Sequence, residues 1–272
     1  MRADIDYEVE YNNRARVPEN PSIMSGWAKD AAAYRQLHAP QAIVYGPGAR
    51  NSIDFFPGSH QGPIVVFIHG GYWQALDGSF FSHLAGGLNA HGIGVAVPSY
   101  DLCPAVTVDQ IIQQMRTATR ELARLGRSLV ISGHSAGGHL AACMLATDWP
   151  ACDASLPTDL VVAAYAISGL FELGPLVATS INGALGLDDA TARAASPLFW
   201  KAPSRGSLDA VVGESESAEY FRQSRTIVEH WGAAGLATRF GVIPNANHFT
   251  AIAPLADPGS PMTLRLRELA GR

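Results

Sequence analysis

Cysteine is scarce: Cys103, Cys143 and Cys152 are the only three in 272 residues. An odd number with no metal-type spacing excludes a fully paired disulfide framework and a cysteine zinc cluster, and points to a reducing compartment, read here as the cytoplasm. Charge is sparse as well, at 16% of residues with a net charge of −5. A balance of that sign argues against nucleic acid or an anionic membrane surface as partner. Long apolar runs are missing: the longest, Leu160 to Ile167, falls far short of a bilayer span. The opening residues Met1-Arg2-Ala3-Asp4-Ile5-Asp6 lack the apolar core of a secretory signal. There is no internal repeat, low-complexity tract or linker to divide the chain. What remains is a chain of 47% hydrophobic residues and ordinary length for an α/β fold built on one large sheet. A single domain over 1–272 is expected, with 1–41 as an arm and a helix packed on it.

Residues 1–21 are polar, carry Pro18 and Pro21, and read as an extended arm. Ser22 is a candidate cap for a helix running to Leu37, whose Ile23, Trp27, Ala31 and Tyr34 share one side and are expected to pack on the body. Ala42–Tyr45 and Asn51–Phe56 flank a Gly/Pro turn and predict an antiparallel hairpin. Pro63–Ile68 is continuously apolar, as a central strand buried on both faces must be. Thr107 caps an amphipathic helix over Val108–Leu125. Further strands are expected at Ile93–Val97, Leu129–Ser132, Leu160–Ile167, Leu208–Gly213 and Ala237–Ile243, with helices between them. Such alternation predicts a mostly parallel, doubly wound sheet with the hairpin as its antiparallel edge. Residues 170–205, broken by Pro175, Pro197 and Pro203, are a candidate cap over a site.

The chemistry is concentrated in Gly133-His134-Ser135-Ala136-Gly137. A Gly/Ser loop could carry the same letters, but here a β-branched run precedes them and a helix-forming run follows. That is the context of a nucleophile elbow, in which a strained serine projects at a helix N-terminus. A serine hydroxyl needs a general base, and in this architecture the acid and then the histidine follow the serine. Of the later histidines, His139 is too near along the chain and His230 lies within a helix. His248, just beyond the last strand, is the expected base. Glu214, Glu216 and Glu219 are candidates for the acid, and spacing alone does not choose among them. The N–H of Ala136 and those of Gly70 and Gly71, in the loop after the central strand, are expected to form the oxyanion hole. His69 is expected to brace that loop. His69, His134 and His139 have no metal-ligand spacing, and no metal or cofactor is implied.

His69-Gly70-Gly71-Tyr72-Trp73-Gln74, Tyr100-Asp101, Gly133 to Gly137 with His139-Leu140-Ala141-Ala142, Asp148-Trp149, and Glu219 to Ser224 together resemble the α/β-hydrolase type of kynurenine formamidase, over about Pro63 to Ile252. The resemblance implies Ser135 as nucleophile, His248 as base and Glu216 as acid. At Glu216 the family's pattern has aspartate. It implies hydrolysis of an N-formyl arylamine, N-formyl-L-kynurenine foremost, with Tyr72 and Trp73 as candidates to pack on the substrate's ring. The expected partner is thus a small aromatic formamide or ester, with a homodimer left open. Two rivals stand beside this reading. A carboxylesterase or other arylamide hydrolase would use the same elbow with a different pocket. A non-catalytic binding protein on the same scaffold predicts a missing member of the Ser-His-acid set, whereas each role here has a candidate.

Overall fold

The computed structural model describes residues 5–271. Residues 1–4 of the expected arm lie outside that range. The strands are β1 (Gln41–Val44), β2 (Ser52–Phe56), β3 (Ile64–Ile68), β4 (Val95–Pro98), β5 (Leu129–His134), β6 (Val161–Ile167), β7 (Ser207–Gly213) and β8 (Ala237–Ile243). They form one 8-stranded sheet in the order β1-β2-β4-β3-β5-β6-β7-β8. Pairing is antiparallel from β1 through β2 to β4 and parallel from there on, so the opening hairpin is the antiparallel edge. This is the α/β-hydrolase fold.

Alternation along β3 shows why its run is apolar throughout. Ile64, Val66 and Ile68 face one core cluster, and Val65 and Phe67 face the other. Helices cover both faces. In chain order they are α1 (Tyr7–Tyr11), α2 (Asn13–Arg16), α3 (Asn20–Leu37), α4 (Ala85–Asn89), α5 (Val108–Ala123), α6 (Ala136–Leu145), α7 (Trp149–Cys152), α8 (Asn182–Leu185), α9 (Asp189–Ala194), α10 (Ala218–Ala233) and α11 (Pro261–Leu269). Thr107 and Gln110 form a reciprocal capping box at the start of α5. No helix among the described residues is long and apolar enough to cross a membrane.

The amino-terminal segment departs from expectation. Within it, residues 7–11 and 13–16 are helical, not extended, because Asp6 and Asn12 each accept a backbone N–H three residues on and so cap α1 and α2. Helix α3 begins at Asn20, with Pro21 in its first turn, ahead of the expected cap at Ser22. Residues 170–205 form short helical pieces, among them α8 and α9.

Candidate active site

β3 and β5 are neighbours in register, Ile68 opposite Gly133, so the loops leaving their carboxyl ends emerge side by side. The turn after β5 is sharp. Ser135 has φ 56° and ψ −116°, and its N–H donates to Ile167 O at 2.8 Å. The following helix starts so close to β3 that a Cβ on Gly137 would lie 1.9 Å from Ile68 O. Only glycine permits that approach, and the approach aims the amino end of α6 at the space above Ser135.

The loop after β3 passes directly over the elbow. A Cβ on Gly70 would stand 2.8 Å from His134 O and 3.1 Å from the Ser135 Cβ. Gly71, Tyr72 and Trp73 all have positive φ, at 103°, 49° and 56°. The strain is held from below. His69 is buried and stacks on Tyr100 at 4.2 Å, and its Nδ1–H donates to Gly70 O at 2.8 Å. Tyr100 in turn donates to His69 O at 2.9 Å. Burial pushes the His69 imidazole down to about 4, so it is a neutral brace. Among the described residues no acceptor takes the N–H groups of Gly70, Gly71 or Ala136.

His248 lies in the loop after β8. The Asn247 side chain accepts from the N–H groups of Phe249 and Thr250 at 2.9 and 3.0 Å and fixes that turn. The His248 ring packs 4.6 Å from His134 and 4.7 Å from Tyr220. Its Nδ1–H donates to Glu216 Oε2 at 2.6 Å, and the Glu216 carboxylate is fully shielded from solvent. The other oxygen, Oε1, accepts from Gly213 N at 2.7 Å and Ser168 Oγ at 2.5 Å. The two remaining acids are spoken for elsewhere. Exposed Glu214 accepts from Asn245 N at 2.8 Å. Buried Glu219 takes both arms of Arg222, at 2.8 Å each, and the Tyr11 hydroxyl at 2.7 Å. His139 donates from Nε2 to Ala195 O at 2.7 Å, and His230 is exposed on α10.

Ser135, His134, His248, Gly71 and Tyr72 border one cavity of about 400 Å³. Burial, helped by the adjacent His248 ring, holds His134 well below the usual imidazole range. Trp73 is a correction to expectation. Its ring is fully buried, lies edge-on to His139 at 5.1 Å, and does not border the cavity. The left-handed turn at Tyr72–Trp73 directs the larger ring into the core, where apolar burial stabilises the loop. Tyr72 does border the cavity, but its hydroxyl is occupied, donating to Tyr11 O at 2.6 Å. Asn13 Nδ2 donates to the Tyr220 hydroxyl at 2.7 Å. Tyr220 must therefore give its own proton to Tyr72, 2.7 Å away. Burial raises the Tyr220 phenol above its ordinary value, with the hydrogen bond from Asn13 pulling the other way.

No protein-family model matches the chain. Curated relatives do. The kynurenine formamidase of Drosophila melanogaster is 30% identical over 257 residues, which cover 86% of this chain and 84% of that protein. The chain belongs to the kynurenine formamidase family. The kynurenine formamidase of Danio rerio is 29% identical over 242 residues, 85% of this chain and 81% of that one. A solved structure from Silicibacter sp. tm1040, provisionally described as a thioesterase, superposes with a TM-score of 0.85 at 34% identity, covering 96% of this chain and 98% of that one. An esterase from Pyrobaculum calidifontis shares the fold, with a TM-score of 0.71 at 16% identity over 92% of this chain and 93% of that one. As a member of the kynurenine formamidase family, the protein is an enzyme of the hydrolase type.

For a kynurenine formamidase relative, one wall of the cavity is unexpected from the sequence. It is built by Tyr11, Asn12, Asn13 and Arg14, with Met24 and Trp27 of α3 beside them. Trp27, expected to serve packing, both packs on Phe81 at 5.3 Å and borders the cavity. The legible signal was local: Asp6 and Asn12 each sit one residue before a helical turn. Ser168, which donates to Glu216, follows a buried strand and carries no motif.

Proposed function

We propose that Ser135 is the nucleophile, His248 the general base and Glu216 the acid of an acyl-transfer site that hydrolyses N-formyl arylamines, N-formyl-L-kynurenine foremost. The observation that carries this reading is the 2.6 Å bond from His248 to a fully shielded Glu216, beside a serine held at φ 56° on an elbow. Such a carboxylate can only accept. It fixes the proton on Nδ1 and leaves Nε2 with a lone pair to receive the serine proton.

The steps then follow. His248 Nε2 takes the Ser135 proton as Oγ attacks the formyl carbon. The carbonyl oxygen becomes an oxyanion before the N–H groups of Ala136, Gly70 and Gly71. When the C–N bond breaks, the arylamine nitrogen receives that proton from His248 and leaves, and the formyl group remains on Oγ. Water then gives a proton to His248 and attacks the formyl carbon. Release of formate returns the proton to Ser135.

A second reading is favoured by the Silicibacter structure: a small-acyl ester or thioester hydrolase using the same residues. Kinetics on N-formylkynurenine beside short p-nitrophenyl esters separates them, and an ester preference of several orders of magnitude removes the formamidase reading. The acyl-transfer reading has its own test. Ser135→Ala is expected to abolish both turnover and fluorophosphonate labelling while leaving the melting temperature within a few degrees. A folded wild type that does not label sinks it.

A further inference from the structure

None of the residues bordering the cavity is Asp or Glu, and Arg14 is the one permanently charged side chain among them. It stands in a protein of net charge −5. The Arg14 side chain is exposed, and among the described residues it makes no ion pair or hydrogen bond. Two acids of α1 that precede it along the chain are taken. Glu8 accepts from the N–H and hydroxyl of Ser180, each at 2.7 Å, and Glu10 accepts from Glu219 N at 3.0 Å. The backbone that carries Arg14 is fixed on both sides. Asn13 donates to Tyr220 and Tyr72, and Asn20 Nδ2 donates to Arg14 O at 3.1 Å. An unpaired guanidinium on a pinned backbone at a cavity that lacks carboxylates keeps its donors free for an incoming anion.

We propose that Arg14 is a specificity-determining residue that recognises a carboxylate of the substrate, remote from the bond that breaks. The preferred substrates are then aromatic formamides whose ring substituent ends in an anion. This rests on the acyl-transfer reading above and deepens it. A planar guanidinium meets a carboxylate with paired donors, and because the contact is the same in ground and transition states it acts through KM.

The test uses two ortho-formamidophenyl ketones of equal chain length, one ending in a carboxylate and the other in a methyl group. Wild type is expected to favour the anionic ketone. Arg14→Ala should raise KM for it about tenfold, with kcat within about twofold and the methyl ketone unchanged. Arg14→Lys should recover part of the loss, and added salt should shrink the wild-type preference. The rate of fluorophosphonate labelling, which needs no anion site, should be equal in all three proteins and reports an intact serine. Equal losses on both ketones, or no loss on either, overturn the proposal. If wild type hydrolyses neither ketone, the formamidase reading has failed by itself. Arg14 is then judged on phenyl acetates with and without a carboxylate-ended ring substituent: an anion preference abolished by Arg14→Ala supports it, and equal rates overturn it.

Discussion

Glu216 stands three residues past Gly213, the last residue of β7, and reaches back to accept from that residue's N–H while its other oxygen meets His248. The longer side chain, where the family's pattern has aspartate, is thus anchored by its own strand end, and Ser168 completes its partners. The three neighbouring glutamates differ in what surrounds them, so their amide variants should differ in kind. Glu216→Gln turns an acceptor-only group into one that can offer N–H to His248, and kcat should fall about a hundredfold or more. Glu214→Gln should leave turnover within about twofold, since its carboxylate is exposed. Glu219→Gln should cost about 2 kcal/mol of stability with little direct effect on chemistry, because Arg222 and Tyr11 lose a buried partner. Steady-state kinetics beside urea unfolding on the three variants checks this. The largest loss of kcat at Glu214 or Glu219 would move the acid.

The elements that position these residues were unequally legible. β3, β5 and β6 announce themselves as apolar β-branched runs, because a strand buried on both faces has no polar side to hide the signal. The elbow was legible for a similar reason: glycines at 133 and 137 between strand and helix are demanded by backbone contact. A Cβ on Gly137 would sit 1.9 Å from a β3 carbonyl that cannot retreat without breaking the sheet. Gly137→Ala should therefore destabilise by at least about 3 kcal/mol, read as a lower urea midpoint or loss of folded protein. The cavity wall at Tyr11–Arg14 was not legible, since its helices are a turn or so long and polar, and their order comes from partners more than two hundred residues away, such as Glu219 and Tyr220. Trp73 was misplaced because a sequence cannot show that three successive residues take positive φ. Helix α11 carries a local signal, Ser260 capping Thr263 N with Pro261 in the first turn, but is too short for its apolar spacing to stand out.

Across the whole molecule, burial of neutral imidazoles ties stability to pH. His69 and His139 are pushed down to about 4 by desolvation, against an ordinary value of 6.5. Between those values the unfolded chain binds protons that the folded chain refuses. Stability from these groups is therefore full above about pH 6.5 and lost as pH falls toward 4, on the order of 3 kcal/mol per histidine. The melting temperature should fall steadily over that window, and His139→Leu should flatten the slope by about one proton. A slope unchanged in the variant would count against the assignment. The last consequence concerns a single hydrogen. The proton between His248 Nδ1 and Glu216 Oε2 is enclosed where the chain leaving β6 meets the loops leaving β7 and β8, with the His248 side chain 7% exposed and the Glu216 side chain 0%. In proton NMR it should resonate far downfield of other imidazole N–H groups and trade with deuterium only when those segments part. Its lifetime in heavy water, compared with the global unfolding free energy, would make one nucleus a gauge of the whole fold. Rapid exchange in the intact protein would show that this corner opens independently of the sheet.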